Sequence, residues 1–296
     1  SSDFSWASYK NRGWSVPANV SYMESHDEER LMYENISDGN SNGSYDVKTI
    51  NTALQRIELA GAFYFTIPGP KMIWQFGELG YDISINENGR TGNKPIKWEY
   101  FDDENRKSIY NTWNKLIQLK QKYAIFKTDD FAIDASNSNG LKKIQLTNTS
   151  TSDIQHINII GNFGVTTQNI NPVFQKTGTW YNLLNDNETL NVTNTNSLIT
   201  LAPGEFKVYG DNMAVLAVEN MSIIDKVIMF PNPTNDYFKL NIKTNSIKLF
   251  DISGKKIKEY IGSFNAYKPF SIKDLGKGIY FIKIDKSNQS LKLIKN

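Results

Sequence analysis

The feature that most constrains this chain is a change of grammar near residue 124. Before it, short apolar runs alternate with stretches of helical spacing. VSYM at residues 20–23 reads as a short strand. NTALQRIELAGAFYF at 51–65 carries apolar side chains at helical intervals, with Thr49 or Asn51 as its cap. IPGP at 67–70 stops that helix, because proline lacks the N–H a helix needs. KMIWQFG at 71–77 reads as a second buried strand. Residues 103–123 read as a long amphipathic helix whose inner face is Ile109, Trp113, Leu116, Ile117 and Leu119. Strand, helix, strand, helix is the order of a parallel α/β sheet or barrel. Two such units cannot close a barrel of eight. The sequence therefore implies either a small open fold or earlier units outside this chain.

Beyond residue 124 the runs shorten. GLKKIQLTN, IQHINIIGNFG, GTWYNLL, ETLNVTN and FKVYG are broken by Asn, Gly, Ser and Thr, as in an antiparallel sandwich. His156 falls on one of these strands and reads as structural. Residues 213–226 read as a linker, and a compact all-β module follows from 227. In it, Asp251 to Gly254 and Lys277-Gly278 look like hairpin turns.

Composition narrows the function classes. A length of 296 residues suits two or three domains. Net charge is +2 with no basic block before the Lys-rich end, which argues against nucleic acid. Without cysteine there is no disulfide scaffold, thiol nucleophile or thiolate metal site. No apolar run approaches the ~20 residues of a membrane span. The 15 Tyr, 16 Phe and 6 Trp serve cores first, although flat rings also stack on sugars. The opening SSDFSWASYK, without Met or signal peptide, reads as the start of a piece of a longer protein.

Chemistry concentrates in YMESHDEERL, residues 22–31. A Ser25-His26-Asp27 relay is disfavoured, since consecutive residues on an extended chain face alternate sides. One histidine in reach makes a metal site unfavourable too. A charged loop entering a helix, with Asp27 as cap, explains the local letters best. The place of the stretch, just after a short buried strand in an α/β unit, favours a site instead, because the carboxyl ends of barrel strands hold the chemistry.

VSYMESHDEERL resembles the fourth conserved region of the α-amylase superfamily, glycoside hydrolase family 13, in which an apolar strand leads to Asn-His-Asp and often an Arg three residues on. His26, Asp27 and Arg30 match, and Ser25 replaces the Asn. Downstream, Pro68-Gly69-Pro70 and then MIWQFGELG, with Glu78 and Gly80, are similar to the family's Pro-Gly-x-Pro turn, strand and Glu-x-Gly. The resemblance implies a multidomain α/β plus all-β architecture. Residues 1–124 would be the end of a (β/α)8 barrel with its strands seven and eight, and 125–212 the β-sandwich called domain C. It implies a retaining glycosidase acting on α-glucans. Asp27 would be the third, transition-state-stabilising carboxylate, gripping the 2- and 3-hydroxyls, with His26 and Arg30 binding substrate. The family's nucleophile and acid/base lie on earlier strands and match nothing here, so this piece alone is expected to be inactive. No cofactor or metal is expected in it, and structural calcium would belong to the preceding part. Branching or transglycosylation, or non-catalytic α-glucan binding at a surface, are the alternatives.

The last module, with Pro231-Asn232-Pro233, Asp251, Gly254 and Gly278-Ile279-Tyr280, resembles the type IX secretion C-terminal sorting domain of Bacteroidetes bacteria. The resemblance covers 227–296. It implies the secretion machinery as partner and a secreted or surface-attached protein with no membrane span.

Overall fold

The structure, a computed structural model, describes residues 3–136, 140–185, 188–214, 227–285 and 290–296. The chain divides into two compact units, Ser1–Leu216 and Ala217–Asn296. The first is mixed α/β.

It begins with β1 (Ser21–Tyr22), α1 (Leu31–Asp38), a small hairpin of β2 (Ser41–Asn42) and β3 (Tyr45–Asp46), α2 (Ile50–Thr66), β4 (Lys71–Met72) and α3 (Glu104–Lys122). Strands β1 and β4 run parallel, Ser21 opposite Lys71 and Tyr22 opposite Met72. Tyr64, fully buried on α2, ties them together. Its hydroxyl reaches the carbonyls of Ser21 and Met72 (2.8 Å to the latter) and accepts from the Met72 N–H at 3.1 Å. Both strands are shorter than the apolar runs suggest. After Met72 the chain turns: Gly77 N donates to Trp74 O at 2.9 Å, and Phe76 takes a left-handed φ of 60°. The run WQFG thus forms an aromatic turn in which Phe76 and Gly77 are buried, Trp74 is partly so and Gln75 is exposed, with Phe76 stacked on Tyr81 at 5.8 Å.

Helix α2 starts after Thr49, whose hydroxyl makes no capping bond. Helix α3 is capped by a residue that the sequence reading counts inside the helix. The Asp103 carboxylate accepts from the N–H groups of Asn105 (2.9 Å) and Arg106 (3.1 Å), satisfying donors that the first turn leaves orphaned. Of its expected inner face, Ile109, Trp113, Leu116 and Leu119 are buried, while Ile117 is only partly so.

Strands follow: β5 (Phe131–Asp134), β6 (Leu141–Thr147), β7 (His156–Asn162), β8 (Gln168–Ile170), β9 (Gly178–Asn182), β10 (Thr189–Val192), β11 (Ile199–Leu201) and β12 (Phe206–Gly210). Six form an antiparallel sheet in the order β10-β9-β12-β7-β6-β5, and β8 pairs with β11. Central β7 is buried on both faces. Ile157 and Ile159 join a core with Leu59, Phe63 and Leu116 of the helices, and Ile160 joins Ile170, Trp180 and Leu201. Arg56 of α2 clasps the far end of β7, donating to the carbonyls of Asn162 (3.3 Å), Phe163 and Gly164 (3.0 Å).

The second unit holds β13 (Met229–Phe230), β14 (Tyr237–Leu240), β15 (Thr244–Phe250), β16 (Lys256–Phe264), β17 (Phe270–Ser271), β18 (Gly278–Ile284) and β19 (Ser290–Lys295). They make a three-stranded sheet, β13-β14-β17, and a four-stranded one, β16-β15-β18-β19. Phe238, Leu249, Phe270, Ile282 and Leu293 belong to a core of its own. The Asp251 turn is a hairpin turn joining β15 to β16. Its carboxylate accepts from Ser253 N (2.9 Å) and Lys255 N (3.0 Å), and Gly254 takes φ +83°. Lys277-Gly278 is not one. It leads into β18, which pairs with β15 and β19, whereas β17 pairs with β14. Of the expected linker, residues 215–226 lie outside the described residues.

Candidate functional site

Residues 25–30 leave the end of β1 and enter α1 as a loop built from the inside. Ser25 is 5% exposed and Arg30 2%. The Ser25 hydroxyl donates to the Glu28 carboxylate and accepts from Asp27 N at 3.2 Å. Arg30 Nη1 donates to Ser25 O at 3.3 Å, and the guanidinium lies 5.3 Å from the Tyr81 ring centroid and 5.8 Å from that of Trp74. The loop is also pinned from outside. Glu29 accepts from Ser84 Oγ (2.7 Å), Ile85 N (2.8 Å) and Arg30 N (2.9 Å). Burial alone would raise the Glu29 pKa, but these hydrogen bonds outweigh it and hold the carboxyl below its usual range. Arg90 donates to Asp27 O.

On this frame His26 and Asp27 stand clear, their side chains 71% and 69% exposed. Residues 26–28 form a bend, so the two side chains do not alternate as on an extended strand. His26 Nε2 lies 3.2 Å from Asp27 Oδ2. The His26 ring sits 5.8 Å from that of Trp74, which belongs to the turn after β4. The ends of both parallel strands therefore converge on this pair. Ser25 faces Glu28 rather than His26, so no Ser-His-Asp relay forms. Asp27 does not cap the helix either: α1 begins at Leu31, with Arg30 in the cap position. Arg30 supports the corner from beneath, while His26 and Asp27 present donors and acceptors outward.

Sequence reasoning missed Glu24, Trp74, Tyr81 and Arg90. Glu24 is 7% exposed. Its Oε2 accepts from Leu31 N at 2.9 Å, and its Oε1 has no partner. Burial first, with Glu78 and Glu34 nearby adding to it, pushes its pKa up to about 7 against the pull of Leu31 N and Arg30. Glu24 and Trp74 share a cleft with Met23, Tyr64 and Tyr81 below the corner. Glu24 follows β1 by two residues, but that strand is half exposed, with Tyr22 40% exposed, so no sequence signal marked Glu24. Arg90 lies in a polar loop with no pattern to mark it. His156 opens β7, half-buried. Burial lowers its pKa, and Asp211 opposes that. Among the described residues no three His, Asp or Glu side chains gather as a metal site.

Comparison with known proteins gives an answer for the second unit. Residues 228–296 match the family model of the secretion system C-terminal sorting domain. The C-terminal unit is a secretion sorting domain. Such a domain directs type IX export, and the sorted protein is secreted or attached to the cell surface. No helix among the described residues is long and apolar enough to cross a membrane.

For the rest of the chain the structural neighbours are amylase-family enzymes. A cyclomaltodextrinase aligns at 19% identity and TM-score 0.48, over 65% of this chain and 29% of its own. A pullulanase from an Anoxybacillus species complexed with maltotetraose gives 14% and 0.48, over 64% and 26%. The α-amylase of Geobacillus thermoleovorans complexed with acarbose gives 15% and 0.43, over 64% and 38%. This chain thus spans well under half the length of the enzymes it aligns with. No curated protein sequence matches it.

Proposed function

We propose that this chain is the C-terminal part of an exported α-amylase-type glycoside hydrolase acting on α-glucans. In this reading β1 and β4 are the last two strands of its barrel and the β5–β12 region is domain C. The observation that carries the reading is the exposed His26–Asp27 pair. It is held on buried Ser25 and Arg30 at the ends of two parallel strands, where the sequence resembles the family's sugar-gripping motif. The Asp27 carboxylate accepts hydrogen bonds from two sugar hydroxyls. Those bonds tighten as the ring distorts toward an oxocarbenium-like transition state. His26 adds a contact to the same sugar. Arg30 acts through the loop it props. The nucleophile and the acid/base of a retaining mechanism are not among these residues, and the reading places them on earlier strands.

The test is Asp27→Asn in the enzyme that contains this chain. Losing contacts worth roughly 3 kcal/mol in the transition state lowers kcat on starch about 100-fold. Activity within a few-fold of wild type would sink the assignment. Product analysis on amylose separates the chemistries: shortened chains mean hydrolysis, new α-1,6 links mean branching, and no turnover with retained glucan affinity means a binding protein.

A further inference from the structure

Residues 227–296 hold thirteen lysines against four aspartates and one glutamate, a net charge of +8 in a chain whose total is +2. Part of that excess is gathered on one face of the four-stranded sheet. Side chains alternate across a strand. Buried Ile247, Leu249, Ile282, Ile284 and Leu293 fix which face looks into the core. The residues between them look away from it. Strand register sets these in two rows that cross all four strands. One runs Lys256, Phe250, Phe281, Lys292, and the other Glu259, Lys248, Lys283, Ser290. Beside them Ile279 pairs with Ile294. Phe281 is 38% exposed and Ile279 40%. Lys283 Nζ stands 5.9 Å from the Phe250 ring centroid. The one acid of the two rows, Glu259, is already engaged by Lys256 at 2.7 Å and Lys248 at 3.6 Å.

Lysines on edge strands have a plain purpose, since they keep a sheet from pairing with another chain. That purpose covers Lys256 on β16 and Lys292 on β19. It does not cover Lys248 and Lys283, which lie opposite each other on the two central strands. Like charges facing across a strand pair cost stability, and the neighbouring aromatics gain nothing by facing water.

We propose that this face is where the sorting domain docks on an acidic partner protein. The Phe250–Phe281 and Ile279–Ile294 strip is covered at the centre, and the lysines meet carboxylates at the rim. That division matches the general anatomy of interfaces, apolar within and charged around. Four strands ~4.8 Å apart and about seven residues long offer roughly 450 Å². An area of that size gives a transient contact, as a protein passing through a machine requires. Charge complementarity then supplies speed of encounter and selection of partner rather than permanent hold.

The test uses the full chain in cells competent to export it. K248Q/K283Q/K292Q is compared with K268Q/K273Q/K277Q, which removes the same charge from exposed loops of the same domain. The sheet triple should deliver less than about a tenth of the wild-type amount to the surface, and the loop triple should stay within about twofold. Thermal midpoints of the purified proteins establish that each is folded. F281S tests the apolar strip alone and should cut delivery several-fold. Purified wild-type chain should be retained on immobilised poly-glutamate, less so as salt rises, and the sheet triple should not. Normal export of the sheet triple and of F281S overturns the proposal, as does equal loss in both triples, which would make net charge the cause. Tighter binding to phosphatidylcholine vesicles containing phosphatidylglycerol than to poly-glutamate overturns it too, by making the partner a membrane.

Discussion

Glu24 makes the sharpest demand of any single residue in the candidate site. It is almost completely buried, one carboxylate oxygen holds the first N–H of α1, and the other has no partner. Gly77 packs against that second oxygen so closely that a Cβ at position 77 would lie 2.6 Å from it. Burial favours the protonated acid, so its pKa rises from 4.5 to about 7. The folded state therefore binds a proton more readily than the unfolded chain between these values. Stability falls as pH rises through that window and levels off above it. The full effect is on the order of 3 kcal/mol. Glu24→Gln keeps a hydrogen-bond acceptor for Leu31 N and removes the titration. Urea unfolding of this chain should show the variant close to wild type at pH 4.5 and more stable than it at pH 8. A constant difference across that range would show that Glu24 does not titrate there. The letters His26 and Asp27 were legible because their order is distinctive. Glu24 was not, because a carboxyl's environment is made by residues 53 and 54 places away, Gly77 and Glu78.

At the scale of elements, α2 decides how the first unit holds together, because it is buried against α3 on one side and β7 on another. Gly61 is the point of closest approach to α3. A Cβ there would fall inside the Trp113 indole, whose N–H already donates to Ile57 O at 3.3 Å. Two effects compete in Gly61→Ala. Alanine improves helix propensity by about 1 kcal/mol. Forcing a methyl into a filled contact costs roughly 1–3 kcal/mol, and the indole cannot retreat without losing its bond. Overpacking wins, and the urea midpoint of the variant should fall. A rise would show that the helices are not in this contact. Helices α2 and α3 were readable because each carries a long apolar stripe, whereas the Asp103 cap shows only in its bonds to Asn105 N and Arg106 N. Strands β1 and β4 were overestimated because an apolar run has the same letters in a strand and in an aromatic turn. Only the contact of Phe76 with Tyr81 and the left-handed backbone at Phe76 reveal the turn.

At the scale of the whole molecule, the two units differ in what they require. The second has a core of its own, including Phe238, Leu249, Ile282 and Leu293, and the helices and six-stranded sheet of the first are packed on a different one. Charge divides with them. The sorting domain is +8 where the whole chain is +2, so residues 1–226 are net negative at −6. A strongly basic segment fused to an acidic one matters for partners more than for folding. The module was legible in the sequence because its turns and β-runs recur at short spacing. Its cationic face was not, because only strand register shows which lysines share a side. Removing residues 227–296 should therefore separate address from fold. The shortened chain should keep the thermal midpoint of its first unit within a few degrees, since that core loses none of its members. Surface delivery should fall to background, and the protein should accumulate inside the cell. A matching collapse of the midpoint would mean that the second unit stabilises the first. Undiminished delivery would mean that export is read from residues 1–226.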